Sequence, residues 1–307
     1  MADGSTGSSP DELRRALQEH AGLNLVALTP TADGESHSAF WARDSDGTVS
    51  LLKIMPGATP EATGHLHALD AVLARLRDRE YPAPRFRGIG YLPGLVFWFQ
   101  QLLPGAALDR GGGEPDHAAL ARLLPGLLRL NDAQADLGTG TDSWATLITG
   151  TLMAGGDGYC LHATLQAHSS TRDLLQVLRR IGDRCCAAIP AGRDFIHYDF
   201  TPANLLSDGT AITGVIDINP PVLAGDRAFD LATLLFYGYD HDDLREPLRS
   251  RLLELSGPRA ACAYLAHLVL RQVDWSLRHH PAAAATRRHL RLAELVITDI
   301  NHSPARW

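Results

Sequence analysis

The sequence predicts an α+β protein: an antiparallel sheet with one main helix in the first hundred residues, then a larger, mainly helical part. Three observations carry this. Short β-rich runs separated by turn signals fill residues 23–105. Beyond them the chain turns Leu/Ala/Arg-rich with helical spacing, and the change happens once, near 100–104. The expected organisation is therefore a domain at 1–103 (1–10 a flexible tail), a hinge near 100–104 and a domain at 104–307. No internal repeat is visible.

Each element has a local reason. Ser9-Pro10-Asp11-Glu12 reads as N-cap, first helical proline and capping box, opening a short helix that ends near Gly22. LNLVALTPT is β-like, ADGESHSAF a turn-rich loop, and AFWARDSDGTVSLLKIM a hairpin about Asp44-Ser45-Asp46-Gly47. From about Thr59 to Glu80, Leu66, Leu69, Val72, Leu73 and Leu76 recur at helical spacing. YPAPRFRGIGYL and LVFWFQQLLPG read as two further strands. HAALARLLPGLLRLNDAQADL, TRDLLQVLRRIGDRCCAAI and most of the last 80 residues read as helices. The Gly-rich stretch 138–158 reads as loop, and NLLSDGTAITGVIDI as a strand pair about Ser207-Asp208-Gly209-Thr210.

Composition excludes several classes. With 45% apolar and 21% charged residues the chain has the balance of a soluble globular protein. It has no apolar run of membrane-spanning length and no charged-then-apolar leader, so the expectation is a cytoplasmic protein. Cys160, Cys185, Cys186 and Cys262 show neither a disulfide pattern nor a C-x-x-C pair, and the histidines show no metal-ligand spacing. A net charge of −7 argues against a nucleic-acid scaffold and favours encounter with a cationic partner.

Chemistry concentrates in FIHYDFTPANLLSDGTAITGVIDINPP. It holds His197-x-Asp199, Asn204 five residues later, and Asp217 at the end of a short hydrophobic strand. Phosphoryl transfer from a nucleotide needs a group to accept or orient the acceptor's hydroxyl proton. It also needs hard oxygen ligands for magnesium. A carboxylate, an amide oxygen and a second carboxylate are those parts, and the turn after Asp208 would put Asn204 and Asp217 on neighbouring strands.

HYDFTPANLL, GVIDI and AGDRAFDLATLL together resemble the catalytic region of the aminoglycoside phosphotransferases and their choline-kinase-like relatives, which share the two-lobed protein-kinase-like fold. The resemblance, over roughly residues 20–240, implies the following roles. Asp199 would be the catalytic base or hydroxyl-orienting residue, and Asn204 and Asp217 would hold Mg²⁺. Lys53 would bind the α and β phosphates of ATP or GTP, making 1–103 the nucleotide-binding lobe. The loop 34–38, with Gly34, Ser36 and Ser38, would cover the phosphates, and Gln100, Gln101, Leu102 and Leu103 would be the hinge that reads the base. His197, Asp226 and Asp230 would be structural, the last two as loop anchor and N-cap of the next helix. Tyr198 stands where the family often has a small residue, and Ile218 where it often has Trp. No Glu lies mid-helix to pair with Lys53; Asp70 is the best-placed acid, with Glu61 and Asp78 near the ends.

Lys53 is the only lysine among 28 basic residues. A compact ammonium between phosphates is a job that the planar guanidinium does poorly; the plainer reading is a strand lysine that escaped a coding bias. The loop 34–38 also reads as an ordinary hairpin connection. Asp240, Asp242, Asp243 and Glu246 cluster in YDHDDLRE, either to attract a polyamine-like substrate or as a solvated helix start. Asp274 and Trp275 offer a carboxylate and an aromatic face to the same pocket, or simply helix packing. The expected function is O-phosphorylation of a small cationic antibiotic, an aminoglycoside or basic peptide, which inactivates it. The alternatives are a metabolic kinase for choline, a sugar or an amino-alcohol, and a non-catalytic binder of nucleotide or drug.

Overall fold

The computed structural model describes residues 9–31, 38–109, 114–139, 144–219 and 223–302. The chain divides into two compact units, Met1–Ala74 with Ala83–Leu103, and Arg75–Pro82 with Pro104–Trp307.

In the first unit, α1 (Pro10–Ala21) starts at a complete capping box. Ser9 Oγ accepts the Glu12 N–H, and the Glu12 carboxylate accepts the Ser9 N–H at 2.7 Å. The helix stops at Gly22 in the left-handed region. Strands β1 (Leu25–Pro30), β2 (Ala39–Asp44), β3 (Val49–Pro56), β4 (Phe86–Leu92) and β5 (Leu95–Gln100) form one antiparallel sheet of order β1-β2-β3-β5-β4, with α2 (Ala62–Arg77) between β3 and β4. Residues 81–85 and 101–105, expected within strands, lie outside β4 and β5. Alternation along the strands sorts the two faces. Leu52, Phe97 and Phe99 pack with Phe40 and with Leu13 and Leu17 of α1, while Val96 and Trp98 pack with Leu66 of α2. Lys53 is on the central strand directly opposite Trp98, so it shares the α2 face.

The second unit contains β6 (Ala106–Ala107), α3 (His117–Ala133), α4 (Trp144–Ala154), α5 (His162–Ala167), α6 (Arg172–Cys185), β7 (Asp194–Ile196), β8 (Leu205–Ser207), β9 (Ile212–Val215), β10 (Leu223–Gly225), α7 (Ala228–Tyr237), α8 (Asp242–His279) and α9 (Ala284–His302). β6, β8 and β9 form one small antiparallel sheet, and β7 pairs with β10. Helix α8 is broken at Gly257, whose φ of 74° interrupts the helix just before Pro258. Its second half is buried on every side from Ala260 to Leu270, and α6, α7 and α9 pack around it. Among the described residues no helix is long and apolar enough to cross a membrane.

The stretch 138–158 is not a loop throughout, because α4 occupies its middle. WATLITGTLMA lacks the polar face that marks an amphipathic helix, and its flanking glycines mask it further. Trp144, Ile148 and Leu152, at i, i+4 and i+8, are fully buried. Trp144 is packed so closely on Gly225 that a Cβ there would meet the indole at 2.5 Å. Trp144→Ala is accordingly expected to lower unfolding free energy by about 3–5 kcal/mol, measured by urea denaturation; a loop tryptophan would change it little.

Candidate active site

The site grows from the C-terminal end of β7, where the chain runs through His197, Tyr198 and Asp199. Its conformation is held from α7. Asp230 lies fully buried in the first turn of that helix, where its carboxylate oxygens accept the backbone N–H groups of His197 (2.9 Å) and Tyr198 (3.0 Å) and the Gln134 amide (2.7 Å). Asp230 is therefore not the helix N-cap expected from sequence. The N-cap position is Arg227, and Asp226 just before it accepts the Ala228 N–H at 3.0 Å and the Tyr264 hydroxyl at 2.8 Å. Burial pushes both carboxyls above their ordinary pKa, and their N–H donors pull the other way.

Tyr198 needs this support. Its φ is 70°, a left-handed conformation that strains a bulky residue by about 1–3 kcal/mol. Its ring stacks on Phe229 at 5.2 Å and meets Trp144, Tyr159 and His267 edge-on. His197 fixes the other side. Its Nε2 donates to the Ile216 carbonyl (2.8 Å), and its Nδ1 accepts the Asp199 N–H (3.2 Å). The proton therefore sits on Nε2, and the ring ties the loop to the end of β9.

Asp199 is half-buried, and both of its carboxylate oxygens are engaged. Oδ2 accepts the Asn204 amide at 2.9 Å, and the same amide nitrogen reaches the Asp199 carbonyl at 2.8 Å. Oδ1 accepts from Arg271 on α8 at 2.7 Å. Asn204 and Asp217 come together through the β8–β9 ladder: Leu205 faces Val215, and the Ile216 N–H donates to the Asn204 carbonyl at 2.9 Å. Asp217 takes a φ of 61°, tolerable for aspartate, and Asn219 donates to its carbonyl and carboxylate at 3.1 Å each. Because the Asn204 nitrogen is committed to Asp199, its amide oxygen points away from that bond. With Asp217 it supplies hard oxygen donors of the kind Mg²⁺ takes.

Residues 27–265 match the family model described as a phosphotransferase enzyme family. The chain belongs to that family. Two solved structures share the fold of this phosphotransferase. Aminoglycoside phosphotransferase APH(3'')-Id from Streptomyces rimosus, in complex with ADP and streptomycin, aligns with a TM-score of 0.55 at 17% identity, over 84% of this chain and 97% of that one. Choline kinase LicA from Streptococcus pneumoniae aligns with a TM-score of 0.55 at 12% identity, over 94% and 98%. The protein-kinase-like fold expected from the sequence is thus the fold of the phosphotransferase. No curated protein matches its sequence.

The remaining expected site residues fall in several places. Lys53, Asp70, Ser38 and Gln100–Leu103 belong to the first unit, with Lys53 on β3 and Asp70 on α2. The Ser38 carbonyl accepts from Ile54 at 2.8 Å; Gln100 is buried at the end of β5, the Gln101 N–H donates to Arg85 at 2.9 Å, and Leu102 is exposed. Gly34 and Ser36, with most of the expected phosphate loop, lie outside the described residues.

The acidic residues expected to bind an acceptor are largely paired with arginines. Asp242 and Glu246 bond Arg245 and Arg249 one turn along α8, which is the solvated helix start. Asp274 is completely buried and forms a bidentate pair with Arg278 at 2.9 Å, so it faces no substrate. Asp240 bonds Arg288 at 3.0 Å. The fold brings His117, Asp240 and His241 within metal-ligand distance, which no sequence spacing indicates, but Arg288 also bonds His117 Nε2 at 3.0 Å and occupies the cluster. Asp243 is exposed, and Trp275 packs on His279 and His280. The residues that sequence reasoning missed are Arg271, Gln134 and the ring cluster about Tyr198; they lie far from Asp199 in the chain and carry no local motif.

Burial and the nearby Arg271 push the His267 imidazole down to about 3, and burial pushes His289 down to about 4. Their folded pKa values lie below the unfolded value near 6.5. Both therefore favour the folded state above that pH, and stability is lost as pH falls from about 6.5 toward 3–4. His267→Gln should flatten the fall in melting temperature across this window relative to wild type. An unchanged slope would mean that His267 titrates alike in both states.

Proposed function

We propose that the protein transfers the γ-phosphate of ATP or GTP to a hydroxyl of a small organic cation, with Asp199 as the residue that receives the hydroxyl. The observation that carries this is the setting of Asp199: a half-exposed carboxylate pinned through both oxygens by Asn204 and Arg271, beside the strand end that carries Asp217. Each oxygen keeps a further lone-pair direction, so Asp199 can accept the acceptor's O–H while its own rotamer is fixed. The acceptor oxygen then attacks the γ-phosphorus in line. The bond from phosphorus to the nucleotide's bridging oxygen breaks, and the hydroxyl proton leaves by way of Asp199. Asn204 and Asp217 would hold Mg²⁺, which when bound neutralises charge on the phosphates. Lys53 would bind the α/β phosphates, with Asp70 the candidate carboxylate for it. Gly34, Ser36 and Ser38 would lie over the phosphates, and Gln100–Leu103 would contact the base. A consumer of nucleotide of this kind works in the cytoplasm.

The acceptor class rests on a net charge of −7 and on the streptomycin complex of the Streptomyces rimosus relative. An aminoglycoside or basic peptide antibiotic is the first reading. The choline kinase similarity favours a second, a metabolic amino-alcohol, which is also a hydroxyl-bearing cation. A coupled nucleotide-consumption assay against a panel of cationic antibiotics, choline and amino-alcohols decides between them. The expected result is turnover on an antibiotic; turnover confined to choline or amino-alcohols selects the second reading, and none on any member refutes both.

Asp199→Ala is expected to lose at least about 10²–10⁴-fold in kcat while still binding Mg-nucleotide in equilibrium titration. Lys53→Arg keeps the charge yet should impair transfer severely in the same assay, because the guanidinium does not reproduce the ammonium's compact contacts.

A further inference from the structure

We infer that Arg271 is a positioning residue for the transfer reaction, acting through Asp199; this rests on the phosphotransfer reading above. Its guanidinium spans two consecutive residues of the loop. Nη2 donates to the Asp199 carboxylate at 2.7 Å, and Nη1 donates to the Tyr198 carbonyl. The same group lies over the Tyr198 ring, 4.6 Å from its centroid. One planar cation thus holds the peptide with left-handed φ, its aromatic side chain and the carboxylate that follows it.

The geometry separates this role from general scaffolding. Asp230 and His197 hold the loop's backbone: N–H groups of residues 197 and 198 in the first case, the Asp199 N–H in the second. Neither touches the Asp199 carboxylate. Only Asn204 and Arg271 bond that group among the described residues, one at each oxygen. Asn204 is also a candidate metal ligand, so Arg271 is the one of the two whose contact with the site is confined to the Tyr198–Asp199 segment. Its rigidity has a source as well. Arg271 is mostly buried on the second half of α8, with His267 one turn before it and the Asp274–Arg278 pair one turn after. A lysine would present a single point of contact, whereas the forked guanidinium fixes a distance between the Tyr198 carbonyl and Oδ1.

The consequence is a coupling between Arg271 and Asp199 that a merely structural residue lacks. The test is a double-mutant cycle of Asp199→Ala, Arg271→Ala and the double variant, read both in turnover and in thermal unfolding, with Arg271→Lys as the milder variant. Arg271→Ala is expected to lose about 10²-fold in kcat, the scale of a misplacement by about 1 Å, with nucleotide KM within about twofold of wild type, since Arg271 bonds none of the groups proposed to bind nucleotide. The double variant should be no slower than Asp199→Ala. Arg271→Lys should recover part of the rate, and added guanidinium ion should recover part of the rate of Arg271→Ala. Additive losses in turnover, or a loss that falls in nucleotide KM instead of kcat, would overturn the inference. If Arg271→Ala unfolds at assay temperature, the Arg271→Lys variant carries the cycle, and wild-type kcat in that variant overturns the inference. Absence of wild-type turnover on every acceptor removes the phosphotransfer reading and this inference with it, whereas additivity in an active enzyme removes this inference alone.

Discussion

The second unit's chemistry depends on one buried carboxylate. Asp230 is out of reach of water, and burial of an ionisable group without partners would be strongly unfavourable. It is tolerated because three N–H donors converge on it, two from consecutive peptides of the catalytic-type loop and one from Gln134. Gln134 is itself held, its side-chain oxygen accepting from Asn131 at 2.8 Å and its carbonyl accepting the Phe195 N–H at 2.9 Å. The end of α3, strand β7 and the start of α7 are thereby one hydrogen-bonded assembly. The strained turn at Tyr198 is affordable inside it and directs Asp199 toward Asn204.

Arginine dominates the electrostatics around this assembly. Asp199, Asp240, Asp242, Glu246 and Asp274 each contact an arginine, so the local fields of these acids are largely neutralised at short range. A cationic acceptor would be drawn in by the net negative field of the chain more than by any one carboxylate of the acidic cluster. The pairs differ in kind. Those at the start of α8 are exposed and contribute little to stability, whereas Asp274 is fully buried and would be strongly destabilising without Arg278.

Much of the framework was legible because it is written in local signals. The capping box at Ser9, the hairpin at Asp44–Gly47, the helical spacing from Leu66 to Leu76 and the turn at Asp208 each need only a few neighbouring residues to declare themselves. Helix α4 was hidden for the converse reason: its exposed face carries Thr146, Gly150, Met153 and Ala154 and no charged residue, so no amphipathic period marks it, and glycines flank it. The spacing of Asp199 and Asn204 was visible because both lie on one loop, and the strand pair explains why Asp217 joins them.

What the sequence determined by itself was therefore the order of most elements, the segment that carries Asp199, Asn204 and Asp217, and the singular lysine on the third strand. Only the tertiary structure decided which groups engage Asp199, that Asp230 holds the loop instead of capping its helix, and that Asp274 is spent inside α8. The physical reason is range. Capping, turns and periodicity act between residues a few positions apart, whereas Arg271 reaches Asp199 across 72 positions of chain and Gln134 reaches Asp230 across 96. Contacts of that separation exist only after the core around α7 and α8 has formed.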